Sequence, residues 1–187
     1  MNSEATNTLD VLIVGAGFAG VGAAIRLCQQ GIDNICVLEK AAGIGGTWWH
    51  NTYPGAACDI ASHLYCYSFE PNPYWSRKFS PQAEIQAYIQ RCAQKYDVER
   101  HIRLNTRVEV CRFDETHKVW VAELAGGANL RAHHVIFATG GLHLPAWPDI
   151  PGMADFRGPT MHSAEWDHSV DFAGKRVAVI GSAASAI

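Results

Sequence analysis

Residues 9–39 read LDVLIVGAGFAGVGAAIRLCQQGIDNICVLE. Leu9 to Val14 is a short, mainly branched apolar run, which reads as a strand buried on both faces. The run breaks at Gly15-Ala16-Gly17 and resumes as an alanine-rich helical stretch, Phe18 to Gln30, stopped by Gly31. ICVLE follows as a second buried strand ending at Glu39. Strand, turn, helix and strand within about thirty residues make a βαβ unit.

The turn carries Gly15-x-Gly17-x-x-Gly20. In a dinucleotide-binding unit the first glycine permits the tight turn, the second admits a pyrophosphate to the backbone, and the third lets helix and strand pack closely. The helix start then offers amide donors and a partial positive charge to phosphates. Glu39 stands where an acid accepts hydrogen bonds from ribose hydroxyls, and an acid there disfavours a 2′-phosphate. The expected ligand of this turn is therefore FAD or NAD. A turn packed closely for structural reasons alone is the alternative.

The rest of the composition agrees with an ordinary globular protein. The chain has 187 residues, 48% hydrophobic and 18% charged, with a net charge of -3. It has no basic block, so neither nucleic acid nor an anionic membrane is an expected partner. The leading residues MNSEATNTLD carry acids and no base, unlike a signal peptide, and the apolar run after them is too short and glycine-rich to span a bilayer. The six cysteines, 28, 36, 58, 66, 92 and 111, contain no Cys-x-x-Cys and no metal-ligand spacing. No metal is expected, and a reducing, cytoplasmic location is.

Further along, Lys40 to Phe69 is rich in Gly, Trp, Tyr and Pro without a clean period, as in a functional loop. Ser80-Pro81 opens a predicted helix to about Tyr96. TRVEVCRF, KVWVAEL and LRAHHVIFA then predict a small antiparallel meander ending at Ala138-Thr139-Gly140. After a proline-rich connector and the dodecamer FRGPTMHSAEWD (156–167), GKRVAVIGSAASAI predicts another buried strand and small-residue turn. Gly181 keeps the first glycine of the earlier turn, but alanines stand at 183 and 186. The expected organisation is an FAD-binding domain over 1–150, a linker over 151–174, and the first strand and turn of an NADPH domain over 175–187.

Two longer patterns point to one family. Gly45-Gly46-Thr47-Trp48 is followed after four residues by Tyr53-Pro54-Gly55 and after three more by Asp59. The dodecamer supplies Phe156, Gly158, His162, Trp166 and Asp167 at Phe-x-Gly-x3-His-x3-Trp-Asp spacing. Together they resemble the two signatures of Baeyer–Villiger monooxygenases, within the class B flavin monooxygenases, and the likeness runs from Leu9 to the end. N- and S-oxygenating relatives usually share the glycine turns but not this pairing. A flavin disulfide reductase would need a close cysteine pair.

The resemblance implies an α/β fold of Rossmann-like, two-dinucleotide-binding type, in which NADPH reduces FAD and a ketone is oxygenated with O2 to an ester or lactone. It implies FAD contacts at Gly15, Gly17, Phe18, Gly20, Glu39, Lys40, Gly46, Thr47, Trp48, Asp59, Tyr65, Val108, Ala138, Thr139 and Gly140. NADPH contacts are implied at Gly181, Ser182, Ala184 and Ser185. Asp59 is expected to be partly buried and to orient an arginine beside flavin and nicotinamide, with a turn-capping aspartate as the alternative. His162 is expected to couple nicotinamide binding to domain movement, with a satisfied loop histidine as the alternative. Because the sequence stops one turn into a helix, the 187 residues are expected to be part of a longer enzyme and not to oxygenate alone.

Overall fold

The structure, a computed structural model, describes residues 8–142 and 144–186. The polar leading residues 1–7 lie outside that range. Two compact units form, Met1–Gly46 with Gln86–Gly141, and Thr47–Ile85 with Leu142–Ile187.

The first unit is built on a six-stranded sheet: β1 (Leu9–Val14), β2 (Ile35–Leu38), β3 (Ile102–Arg103), β4 (Val108–Asp114), β5 (Val119–Leu124) and β6 (Asn129–Phe137). Their order is β3-β2-β1-β6-β5-β4. β1, β2 and β3 are parallel, with Leu12 opposite Cys36 and Val37 opposite Ile102. β4, β5 and β6 form the expected antiparallel meander.

β6 joins the two halves by dividing its length. Asn129 to Ala132 pair with β5, whereas Ala132 to Phe137 run parallel to β1. Ala132, fully buried, belongs to both pairings. A nine-residue strand is long enough to serve two neighbours in this way.

Helix α1 (Phe18–Gln29) buries Gly20, Val21, Ala24 and Ile25, a stripe at helical spacing. On the sheet, Leu12, Cys36 and Leu38 form one cluster with Ala122 and Ala132, while Ile13 and Val37, one residue away along their strands, are buried on the opposite face. In α3 (Gln82–Lys95) the buried set is Ile85, Tyr88, Ile89, Cys92 and Ala93, again one face. Pro81 lies one residue before α3 and forms a lone β-bridge with Ala57.

Short elements add to those expected, and one expected strand is not formed. The 40–69 loop is not structureless, since Thr47–His50 forms a helical turn, α2, and Ser62–Leu64 a 3-10 turn. Ile102–Arg103 forms β3, too short to show a period in the sequence. The strand expected over 175–180 is not formed, and Val177, Val179 and Ile180 are exposed. An all-apolar strand gains its stability from neighbours on both edges and layers on both faces, and no described strand pairs with it. Among the described residues no helix is long and apolar enough to cross a membrane.

Candidate functional site

The glycine turn links β1 to α1 in the first unit. Gly15 has φ +106°, and a Cβ there would stand 2.5 Å from the Ala138 carbonyl oxygen. Ala138 in turn donates its N–H to the Val14 carbonyl, so the end of β6 is fastened beside the turn. At Gly20 a Cβ would lie 1.8 Å from the Gly15 carbonyl oxygen, which no side chain permits. Gly17 is the N-cap of α1, where no side chain caps the leading amides and no acid occupies the first turn. Its Cα faces that of Gly46, since a Cβ on Gly46 would come within 2.9 Å of it. Phe18 stacks on Tyr88 with ring centroids 5.9 Å apart.

Glu39 follows β2 and is only 5% exposed. A buried carboxylate needs partners, and the turn provides them: Oε2 accepts the Ala16 N–H and Oε1 the Ala41 N–H, each at 2.8 Å. Each oxygen has further lone-pair capacity for an incoming hydroxyl. Backbone bonds also bring the segment ahead of β4 here, as Thr106 donates to the Glu39 carbonyl and Asn105 to that of Ala41. Val108 opens β4 two residues later, Lys40 is exposed, and Thr139 and Gly140 follow Ala138 beyond the end of β6.

In the second unit Trp48 is buried, and its indole N–H donates to the Tyr65 hydroxyl at 3.0 Å, the two rings edge to face. Burial pushes the Tyr65 phenol above its ordinary pKa, against a smaller lowering by the Trp48 donor. The Gln82 side-chain amide donates to the Trp48 carbonyl. Thr47, at the start of α2, is exposed.

Two buried serines fasten this loop. The Ser80 N–H and hydroxyl both donate to Ser62 Oγ at 2.8 Å. The Ser62 hydroxyl lies 2.9 Å from the Arg77 and Lys78 carbonyls, to which it donates. Sequence reasoning missed this pair; the only local signal was Ser80 before Pro81.

Asp59 is exposed, against the expectation of partial burial, and among the described residues its carboxylate has no hydrogen bond or ion pair. The reason is a two-residue alternation along the bridge to Pro81: Ala56 and Cys58 turn inward, Ala57 and Asp59 outward.

The dodecamer lies in the same unit. His162 Nδ1 accepts the Ala164 N–H at 3.1 Å, capping a 3-10 turn at Ser163–Glu165, and its ring meets Trp147 edge-on at 5.9 Å. That geometry places the ring proton on Nε2. Asp167 accepts from the Ser169 hydroxyl at 2.6 Å and its N–H at 2.8 Å, which holds the carboxyl below its ordinary pKa. Trp166 packs on Phe172 with centroids 5.3 Å apart. His168, one residue beyond the signature, lies 2.9 Å from the Thr52 hydroxyl and so ties the dodecamer to the loop between Trp48 and Tyr53. Gly181, Ser182, Ala184 and Ser185 are exposed around a 3-10 turn at Ala184–Ala186.

Comparison with known proteins adds the following. Residues 12–187 match the family described as pyridine nucleotide-disulphide oxidoreductase. The chain is 48% identical over 177 residues to a protein of Pseudomonas aeruginosa named Baeyer-Villiger monooxygenase, covering 95% of this chain and 34% of that one. A Streptomyces coelicolor protein of the same name gives the same identity and coverage. Among solved structures, a steroid monooxygenase bound to NADP superposes with TM-score 0.86 at 40% identity, over 96% of this chain and 35% of that one. A cyclohexanone monooxygenase bound to epsilon-caprolactone superposes with TM-score 0.88 at 34% identity, over 96% and 36%. The chain thus spans about a third of the length of the curated relatives it matches.

Proposed function

Because the chain belongs to the pyridine nucleotide-disulphide oxidoreductase family, we propose that it supplies the FAD-binding part of a Baeyer–Villiger monooxygenase, converting a ketone to an ester or lactone with NADPH and O2. The carrying observation is the buried Glu39 carboxylate locked onto the Ala16 amide inside the Gly15–Gly20 turn. The names of the relatives support the Baeyer–Villiger assignment, and the absence of a Cys-x-x-Cys speaks against disulfide reduction.

The residues present fit an adenosine dinucleotide. The space that a Cβ on Gly15 or Gly20 would claim is taken by backbone, which keeps the turn tight, and the uncapped amides of α1 favour a pyrophosphate. When bound, FAD would accept reducing equivalents from NADPH and mediate oxygen transfer from O2 to the ketone. Gly15, Gly17, Phe18 and Gly20 bind its phosphates, while Glu39 and Lys40 meet the ribose. The Val108 main chain would meet the adenine, and Ala138, Thr139 and Gly140 would close the flavin domain beside the glycine turn, near the FAD. Gly46, Thr47, Trp48 and Tyr65 shape the flavin side and exclude water. Gly181, Ser182, Ala184 and Ser185 meet NADPH. The exposed Asp59 carboxylate is available to orient an arginine, and His162, held by Ala164 and Trp147, couples nicotinamide binding to movement. Six free cysteines among the described residues support a reducing, cytoplasmic setting.

The test is visible absorbance of the purified chain after addition of FAD and desalting. Flavin retained by the native chain and lost in Glu39→Ala is the expected result. A folded chain that retains no flavin overturns the reading.

A further inference from the structure

At the edge of the parallel strands opposite the glycine turn, three donor side chains meet that the proposed reaction does not use. Cys28 lies in the last turn of α1, Asp33 in the turn before β2, and His101 immediately before β3. One donor atom from each, the Cys28 sulfur, an Asp33 carboxylate oxygen and a His101 ring nitrogen, lies within 4.8 Å of the other two. We propose that Cys28, Asp33 and His101 form a binding site for a borderline-soft divalent cation of the zinc type, with water as fourth ligand.

The donor set selects the class of metal. Thiolate, imidazole and carboxylate suit zinc, whereas calcium and magnesium take oxygen ligands. Ligand bond lengths of about 2.0–2.3 Å place tetrahedral donors roughly 3.5 Å apart, so the three side chains close by about 1 Å on binding. Asp33 and His101 are not fully buried and have room for this. The location of Cys28 and Asp33 at the C-terminal end of α1 favours positive charge. Coordination releases the Cys28 thiol proton to solvent, and thiolate plus carboxylate then neutralise the dication.

Arg100 reaches two of the three proposed ligands. Its Nε donates to His101 Nε2 at 3.1 Å, and its other nitrogens lie 3.5 Å from Asp33 and 3.4 Å from Asp97. The guanidinium competes for two of the three ligands. Its side chain is 55% exposed and can turn outward while keeping Asp97. The metal and the arginine are therefore alternatives at one site.

The test is anaerobic titration of the reduced chain with cobalt(II), then zinc. Expected is a thiolate-to-cobalt charge-transfer band with four-coordinate visible bands, saturating at one equivalent and displaced by zinc. Cys28→Ser abolishes the charge-transfer band, and Cys66→Ser leaves it. Asp33→Asn and His101→Gln weaken binding by about tenfold or more, and Arg100→Ala tightens it. Asp33→Asn changes an exposed side chain, so it reports on the site even where Cys28→Ser fails to fold. Absence of the band, its survival in Cys28→Ser, or unchanged affinity in Asp33→Asn and His101→Gln overturns the site.

Discussion

Replacing Glu39 by Gln exchanges one carboxylate oxygen for an amide NH2 and separates what the carboxylate does for the fold from what it does for a ligand. In the native chain Oε1 and Oε2 each accept one backbone N–H at 2.8 Å, and the residue is 5% exposed. Glutamine keeps one acceptor, and its NH2 group must face the other N–H. One buried donor is then left unmatched, which costs about 1–3 kcal/mol, and the surviving bond loses its charge assistance, about 1 kcal/mol more. The sum of about 2–4 kcal/mol is a large part of a typical stability of about 5–15 kcal/mol. With a urea slope of about 1–3 kcal/mol per molar, the unfolding midpoint falls by on the order of 1–2 M. Glu39→Asp keeps the charge but, one methylene shorter, spans only one of the two amides and falls between. The assay is urea unfolding followed by circular dichroism, with FAD titration of the folded variants. A Gln variant within about 0.5 kcal/mol of the native chain refutes the reasoning about the turn. A destabilised variant with unchanged FAD affinity refutes the ribose contact alone.

Gly20→Ala places a methyl 1.8 Å from the Gly15 carbonyl and costs about 3 kcal/mol, whereas Gly158→Ala meets only the tip of the exposed Phe156 ring and costs less than about 1 kcal/mol; thermal unfolding of the pair checks the contrast. Ser62→Ala orphans the buried N–H and hydroxyl of Ser80 and destabilises the 47–85 loop by about 1–3 kcal/mol, read as faster cleavage within that loop by limited proteolysis. The Tyr65 phenol, raised in the folded state by burial, contributes stability that is fully present below its unfolded pKa of about 10 and is lost as pH rises through the folded value. Tyr65→Phe therefore shows a flatter loss of stability above about pH 10 than the native chain, measured by urea unfolding at a series of alkaline pH values.

The β1-α1-β2 unit was legible because its determinants are local. Gly20 is forced by the Gly15 carbonyl five residues back, and the α1 stripe of buried residues repeats every turn. The meander was legible from its apolar runs and turn residues. The division of β6 between β5 and β1 was not, because either half alone satisfies the same strand pattern; only the register around Ala132 distinguishes them. The Cys28, Asp33 and His101 cluster was hidden for a related reason, since His101 lies far along the chain from the other two and reaches them only through the parallel pairing of β3 with β2.

In the second unit the sequence named the residues but not their surroundings. Asp59 sits among small apolar residues, which suggested burial, yet the pairing of Ala57 with Pro81 turns every second side chain outward and Asp59 goes with them. The segment 175–180 shows the complementary case. Its apolar run specifies a demand for burial on both faces, and that demand is met only when strands flank it and layers cover it. Without such neighbours among the described residues the same side chains stand in solvent. The apolar pattern of Val177, Val179 and Ile180 therefore does not by itself specify a strand; the six residues form one only where neighbours cover them.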